Sequence, residues 1–261
     1  MIKILVLGDI VGRPGRNLVV DRLPEIKAQH GIDLVVANGE NAAAGAGITG
    51  KIVNQLAEAG INGLTLGDHT WDQKIFLGEI DGLETICRPA NFAPGVPGRD
   101  RLILDLGMKK VGVFTVLGRN FMSPKVDCPF ITADRLISEL TPEVDLILVE
   151  IHAEATSEKI AMGWYLDGRV GLVFGTHTHV PTANAEILPK GTGYITDLGM
   201  SGPYKSVLGR DKESVIQRFL DGIPRRFPVA EEDTRLSGIV LGWDETVGRS
   251  VSIEHMFWRT K

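Results

Sequence analysis

The chain has 261 residues, 43% of them hydrophobic and 23% charged. This excludes disorder as its main state, since disorder needs low hydrophobicity and high net charge. Twenty-eight basic against 33 acidic residues leave a net charge of −5, so non-specific nucleic-acid binding, which rests on neutralising many phosphates, is not favoured.

The first apolar run, Ile2–Leu7, stops at Gly8-Asp9. It is too short for a secretory signal and lacks a small-residue cleavage site, so it predicts a strand. Further runs rich in Val, Ile and Leu occur at 34–37, 64–66, 111–117, 146–151, 170–174, 193–195, 239–241 and 251–253. Short runs without alternation read as strands buried on both faces. Helices are predicted at 16–30, bent or shortened by Pro24, and at 49–59, with Thr49 as N-cap and Gly60 as the stop. Two more are predicted at 132–140 and 211–220, with Thr132 and Asp211 as caps.

This alternation argues an α/β fold with covering helices. The strand-rich C-terminal stretch suggests a mixed or second sheet. No linker or repeat divides the chain, which predicts one domain over 1–261. No stretch reaches the roughly 18 apolar residues of a membrane span. Cys87 and Cys128 are too few for a disulfide framework or a thiolate metal site. A soluble, cytoplasmic protein with free thiols is expected, and its subunit number, homo-oligomer included, is left open.

The polar residues at the strand ends form a pattern. The first run ends in Gly8-Asp9, the second in Asn38-Gly39-Glu40-Asn41 and the third in Gly67-Asp68-His69. The run from 146 ends in Glu150-Ile151-His152, and the run from 170 in Gly175-Thr176-His177-Thr178-His179. Asp9 to Glu40 and Glu40 to Asp68 are each about one strand–helix–strand unit of roughly 30 residues. The groups therefore recur at the carboxyl ends of successive strands, where ligands of open α/β sheets bind.

Asp, Glu, Asn and imidazole suit first-row metal ions. Seven donors, Asp9, Glu40, Asn41, Asp68, His152, His177 and His179, exceed the needs of one tetrahedral ion and match two ions sharing a carboxylate. Such a pair clamps the attacking and leaving oxygens of an in-line displacement at phosphorus, and lowers the pKa of a bound water to about 7. Each group alone has a commonplace structural reading, a Gly-Asp turn or a core histidine; their conjunction favours the site. The two spaced histidines of 175–179 should lie on one side of an extended backbone. Glycine is in excess, 31 residues or about 12% against roughly 7% on average. Gly8, Gly39, Gly67 and Gly175 should permit sharp turns and tight packing beside the donors. His30 and His255 are expected to be surface or local structural residues.

These residues resemble the calcineurin-like metallophosphoesterase superfamily. Gly67-Asp68-His69 looks like its G-N-H motif and 175–179 like its G-H-x-H. Longer strings are similar to its YmdB-type bacterial phosphodiesterase branch: G-D-[IV]-V-G-x-P-G-R at 8–16, N-G-E-N-A-A at 38–43, H-T-W-D at 69–72 and R-P-A-N-F at 88–92. H-A-E-A-T-S-E-K at 152–159, G-T-H-T-H-V at 175–180 and I-T-D-x-G-M at 195–200 continue the match.

The resemblance implies two packed mixed β-sheets flanked by helices, a metallophosphoesterase-like four-layer sandwich. It implies a metal-dependent phosphodiesterase acting on 2′,3′- or 3′,5′-cyclic nucleotides by in-line attack of a metal-bound hydroxide. The cofactors would be two divalent or mixed-valence ions, Fe or Mn. Asp9, Glu40, Asn41 and His179 would hold one; Glu40 would bridge to the other, held by Asp68, His152 and His177. His69 would be catalytic, donating a proton to the leaving oxygen. Asp68 stands where the family usually has Asn, and the added charge should bind the second ion more tightly.

The rivals are a phosphomonoesterase or nucleotidase, and a metal-binding regulator with vestigial catalysis. A P-loop reading of 45–51 fails at Ile52, which offers no hydroxyl to Mg²⁺; the stretch reads as a rim loop. Phe92, Trp164, Tyr165 and Tyr204 are candidates to stack on a base.

Overall fold

Alternation along the buried strands divides their side chains between two cores. The computed structural model describes residues 1–259. In strand β1 (Ile2–Leu7), Ile4 and Val6 face one way while Leu5 and Leu7 face the other. Leu34 and Val36 part from Val35 and Ala37 in the same manner in β3 (Leu34–Asn38). Both strands belong to a sheet that is covered on both sides, so each core takes every second residue.

The remaining elements run in chain order. After β1 come β2 (Asp9–Ile10) and helix α1 (Gly12–His30), and after β3 come α2 (Gly50–Glu58), β4 (Gly63–Thr65), two short 3₁₀ turns, β5 (Ile86–Cys87) and β6 (Leu102–Asp105). Then come β7 (Lys110–Leu117), α3 (Pro129–Leu140), β8 (Leu146–His152), α4 (Thr156–Leu166), β9 (Leu172–Thr176), β10 (Glu186–Ile187) and β11 (Gly193–Ile195). The chain closes with β12 (Met200–Pro203), α5 (Lys212–Asp221), β13 (Thr234–Asp244) and β14 (Arg249–Arg259).

The first sheet runs β2-β12-β13-β1-β3-β4-β5, with β14 on β13. Its β1, β3, β4 and β5 are parallel and β13 is antiparallel to β1. The second sheet runs β10-β11-β9-β8-β7-β6, parallel from β11 to β7 with an antiparallel strand at each edge. Ile4, Val6, Leu34 and Val36 meet Val113, Leu148, Leu172 and Phe174 between the sheets. Leu18, Leu23, Val53 and Leu56 from α1 and α2 cover the outer face of the first sheet. Leu136, Leu140, Met162 and Leu166 from α3 and α4 cover that of the second. The result is the expected α/β sandwich of two mixed sheets between helical layers.

Several local expectations are corrected. Pro24 neither shortens nor ends the first helix, which runs from Gly12 to His30; Pro24 is exposed, and the Val20 carbonyl it leaves free lies on the same solvent side. Thr132 is not a cap, because α3 starts at Pro129, a favoured first helical residue. Thr49 and Asp211 do cap α2 and α5, accepting from the backbone N–H of Ile52 and Ser214. Helix α4 had no counterpart among the predicted elements. Among the described residues no helix is long and apolar enough to cross a membrane.

Leu148 sits at the centre of the inter-sheet core and is fully buried. Leu148→Ala should therefore cost about 2–5 kcal/mol, since the lost side chain leaves a cavity between two stiff sheets. Urea unfolding of the two proteins measures the difference, and a loss below 1 kcal/mol would contradict this packing.

Candidate metal centre

The parallel strands bring their carboxyl ends together at one edge of the sandwich. From the first sheet, Asp9 follows β1, Glu40 and Asn41 follow β3, and Asp68 and His69 lie just beyond β4. From the second, His152 ends β8, and His177 and His179 follow β9. Glu40, Asp68, His152 and His177 offer donor atoms all within 4.8 Å of one another. His152 Nε2 is 2.9 Å from Asp68 Oδ1 and 3.2 Å from Glu40 Oε1. His177 Nδ1 is 3.2 Å from the same Asp68 oxygen.

A second group adjoins the first through Glu40. The Asn41 amide nitrogen donates to Glu40 Oε1 at 3.0 Å and lies 3.2 Å from His179 Nε2. His179 Nε2 is in turn 3.8 Å from Asp9 Oδ1. A half-turn of the Asn41 carboxamide would present its oxygen at that position instead. All seven sequence-predicted donors thus lie together, with Glu40 between the two groups.

The donors fit metal ions on physical grounds. Asp9 Oδ1 is buried without any hydrogen-bond partner, an expensive state for a carboxylate oxygen unless a cation meets it. Burial pushes the Asp9 carboxyl up to about 6, against the pull of His179 and His152. Burial also opposes ionisation of Glu40 and Asp68, but the neighbouring His152, aided at Asp68 by His177, holds both below the usual carboxylate range. The His152 imidazole answers them: burial disfavours its charge, yet Glu40, Asp68 and Glu150 raise its pKa well above the ordinary value. The cluster draws positive charge to itself, as a proton or as a metal ion.

Outer partners set the rings. His152 Nδ1 meets Thr176 Oγ1 at 2.8 Å, leaving Nε2 for the cluster. His179 Nδ1 donates to the Leu208 carbonyl at 3.1 Å, which likewise frees Nε2. Such partners fix the tautomer and angle of a ligating imidazole. His177 and His179 do not share one side of an extended strand. Both adopt positive φ, 91° and 62°, and turn to different halves of the cluster.

The glycines act by absence of a side chain rather than by unusual φ. None of Gly8, Gly39, Gly67 and Gly175 has positive φ. A Cβ at Gly67 would collide with Glu40 Oε2 and His152 Nε2, and one at Gly175 with the Thr196 carbonyl. Gly39 has only side-chain neighbours near that position, Ile48 and Leu64.

His69 stands beside the cluster, its backbone N–H donating to Glu40 Oε2 at 3.0 Å. Its Nδ1 is 2.8 Å from Asp72 Oδ2, which leaves Nε2 as the nitrogen available to the pocket. Burial works against protonation of His69, but Glu40, Asp68 and Asp72 outweigh it and raise its pKa. The pocket measures about 300 Å³, and His69, Glu154, Leu208 and Arg210 line it together with the cluster residues. The rim loop expected at 45–51 contributes Gly45.

None of the four candidate stacking residues lines this pocket. Phe92 packs on Trp71, Tyr165 on Phe130 and Tyr204 on Phe257, while Trp164 is exposed. His30 rests edge-on against Trp258 and His255 bonds Ser237 Oγ, both away from the site. Sequence reasoning missed Asp72, Glu150 and Glu154. Asp72 and Glu154 lie inside family-like strings and Glu150 two residues before His152, yet spacing alone assigns none of them a partner.

Comparison with known proteins agrees with this architecture. The model of the YmdB-like protein family matches residues 5–256. A Bacillus subtilis protein named 2′,3′-cyclic-nucleotide 2′-phosphodiesterase is 46% identical, covering 98% of this chain and 99% of that protein. A hypothetical protein from Thermus thermophilus superposes with a TM-score of 0.93 at 43% identity, over 100% of both chains. A Mycoplasma pneumoniae structure described as a novel phosphatase gives 0.93 at 37% identity, over 99% of this chain and 93% of that one.

Metal loading should release protons, because the cation competes with the proton that Glu40 and Asp68 favour on His152. Adding Mn²⁺ to metal-free protein in weak buffer tests this with a pH electrode; no acidification would contradict it. Asp68→Asn removes the carboxylate that two imidazoles face and should weaken Mn²⁺ binding by about tenfold or more. Calorimetry decides, and unchanged affinity would show that the added charge of Asp68 does not tighten binding.

Proposed function

This chain belongs to the YmdB-like family, and from that membership and the geometry of its site we propose that it is a dinuclear metal-dependent phosphodiesterase. Its substrates in this reading are small phosphodiesters, above all 2′,3′-cyclic nucleotides, the class named for the Bacillus subtilis relative. The observation that carries the reading is the position of His69, hydrogen-bonded to Glu40 at the edge of the acid–imidazole cluster and steadied by Asp72.

Asp9, Glu40, Asn41 and His179 would hold one ion, and Glu40, Asp68, His152 and His177 the other, with Fe or Mn suited to the donors. When bound, the ions supply positive charge to the phosphoryl oxygens and an acidified water, which is what ester hydrolysis needs. The residues 1–261 act in this reading as one domain, working in the cytoplasm, where the free Cys87 and Cys128 stay reduced.

The chain's own residues then divide the work. Water adds its oxygen to phosphorus and releases one proton to solvent, the bond from phosphorus to the ribose 2′ oxygen breaks, and that oxygen must gain a proton. His69 Nε2 would give it, since Nδ1 is engaged by Asp72, whose carboxylate favours the protonated ring. The ring left neutral recovers its proton from solvent through the open pocket.

His69→Ala should lower kcat by about 10²–10⁴, the usual worth of a positioned general acid, with metal content by elemental analysis unchanged. Full turnover in that variant would exclude His69 as the acid. The pH profile offers a separate check on Asp72. A raised pKa keeps His69 protonated to higher pH, so activity falls as pH rises through it. Asp72→Asn removes one of the charges that raise it, and the basic limb should move to lower pH. A limb that stays in place would show that Asp72 does not tune His69.

A further inference from the structure

The pocket at the metal cluster is lined by the donor side chains themselves, with Leu208 its one aliphatic side chain. Its flat rings are the imidazoles of His69, His177 and His179, which the cluster and the proposed acid already occupy. A second pocket of about 610 Å³ opens beside it, lined by Arg13, Pro14, Ala44, Arg210, Arg226, Phe227, Pro228, Val229 and Glu231. The two are joined at Arg210, which lines both.

Arg210 is a joint rather than a free cation. Its guanidinium donates to the carbonyls of Ala44, Gly45 and Phe227, tying the rim loop after β3 to the segment before β13. That clamp fixes the wall between the pockets and carries positive charge into it. Arg226 is exposed and makes no hydrogen bond or ion pair among the described residues. Arg13 meets only Glu231, at 3.5 Å and in the open, a pairing of little strength in water. Three guanidinium groups against one carboxylate leave the pocket cationic in a chain whose net charge is −5. Phe227, Pro14, Pro228 and Val229 give it apolar surface, with Phe227 a phenyl face that the first pocket does not contain.

We propose that this second pocket is a subsite for the nucleotide that precedes the scissile group, with Arg13 and Arg226 receiving its phosphate and Phe227 its base. The inference rests on the phosphodiesterase reading above and names its substrate class: short oligoribonucleotides ending in a 2′,3′-cyclic phosphate. The guanidinium fork matches phosphate geometry. Stacking on an aromatic face tolerates any base, so the subsite extends the substrate without reading its sequence.

The test compares adenosine 2′,3′-cyclic phosphate with the dinucleotide ApA carrying the same cyclic end, on the metal-loaded protein. The dinucleotide should show about tenfold higher kcat/KM, and the advantage should shrink as salt rises. In the triple variant Arg13→Ala/Arg226→Ala/Phe227→Ala the ratio of the two kcat/KM values should fall to near one, and in the double variant Arg13→Ala/Arg226→Ala it should fall part of the way. Calorimetry on the products gives a readout apart from turnover: ApA 3′-phosphate should bind more tightly than adenosine 3′-phosphate, and the triple variant should close that gap. Equal kcat/KM for the two substrates, or a preference that survives in the triple variant, overturns the subsite while leaving the phosphodiesterase reading intact. Hydrolysis of neither compound overturns both.

Discussion

One buried carboxylate ties the two sheets together at the edge where the site forms. Glu150 is fully buried on β8, facing the first sheet. Its Oε1 accepts from the Asn38 amide of β3 at 2.7 Å and from the Thr176 hydroxyl of β9. Asn38 then uses its own oxygen to accept the Glu40 backbone N–H at 3.0 Å, while Thr176 meets His152. A single anionic oxygen therefore sets the position of two central donors, one on each sheet. Burying a carboxylate is costly; the bonds to Oε1 can be made only when both sheets are packed in register, while Oε2 is buried without a partner. Packing of the sandwich and geometry of the site are for this reason one condition.

A second buried charge holds the loop after β9. Lys159 of α4 has no exposed surface, and its Nζ donates to Asp197 Oδ2 and to the Thr176 carbonyl, each at 2.6 Å. The same Asp197 oxygen accepts from the hydroxyl of Thr178 at 2.7 Å. The residues on either side of Thr178 are His177 and His179, both at positive φ, a conformation that costs about 1–3 kcal/mol each outside glycine. Anchoring the residue between them from the core keeps both rings turned inward. The ion pair contributes less to net stability than to fixing this one loop conformation, since desolvation offsets much of its attraction.

The sequence showed the parts that repeat and hid those that depend on distant partners. Apolar runs at 2–7 and 146–151 are long enough in Val, Ile and Leu for their strands to be placed within a residue. The seven donors stood out because each comes at or after the end of such a run. Strands β2, β5 and β10 have two residues each, too short for any period to register. Helix α4 escaped for a different reason: its inward face carries Glu158 and Lys159 beside Met162 and Leu166, so buried charge interrupts the apolar stripe. Glu150 sat in plain view next to His152, but its meaning lies in Asn38, 112 positions away. The expected sharing of one face by His177 and His179 failed because it assumed an extended backbone, and the strand stops at Thr176.

The division of donors between sheets has a further physical consequence. The three carboxylates and the amide, Asp9, Glu40, Asp68 and Asn41, all follow strands of the first sheet. The three imidazoles, His152, His177 and His179, all come from the second. The carboxylates of the acidic side face His152 across the gap and raise the pKa of its imidazole. A metal ion held by acids of one sheet and imidazoles of the other would join the sheets. Ligand binding to the folded state alone stabilises that state by mass action, so the centre that would perform the chemistry would also fasten the sandwich. The fold needs Glu150 and Lys159 to be well ordered before any ion arrives, because the imidazoles must already face the acids for an ion to find both.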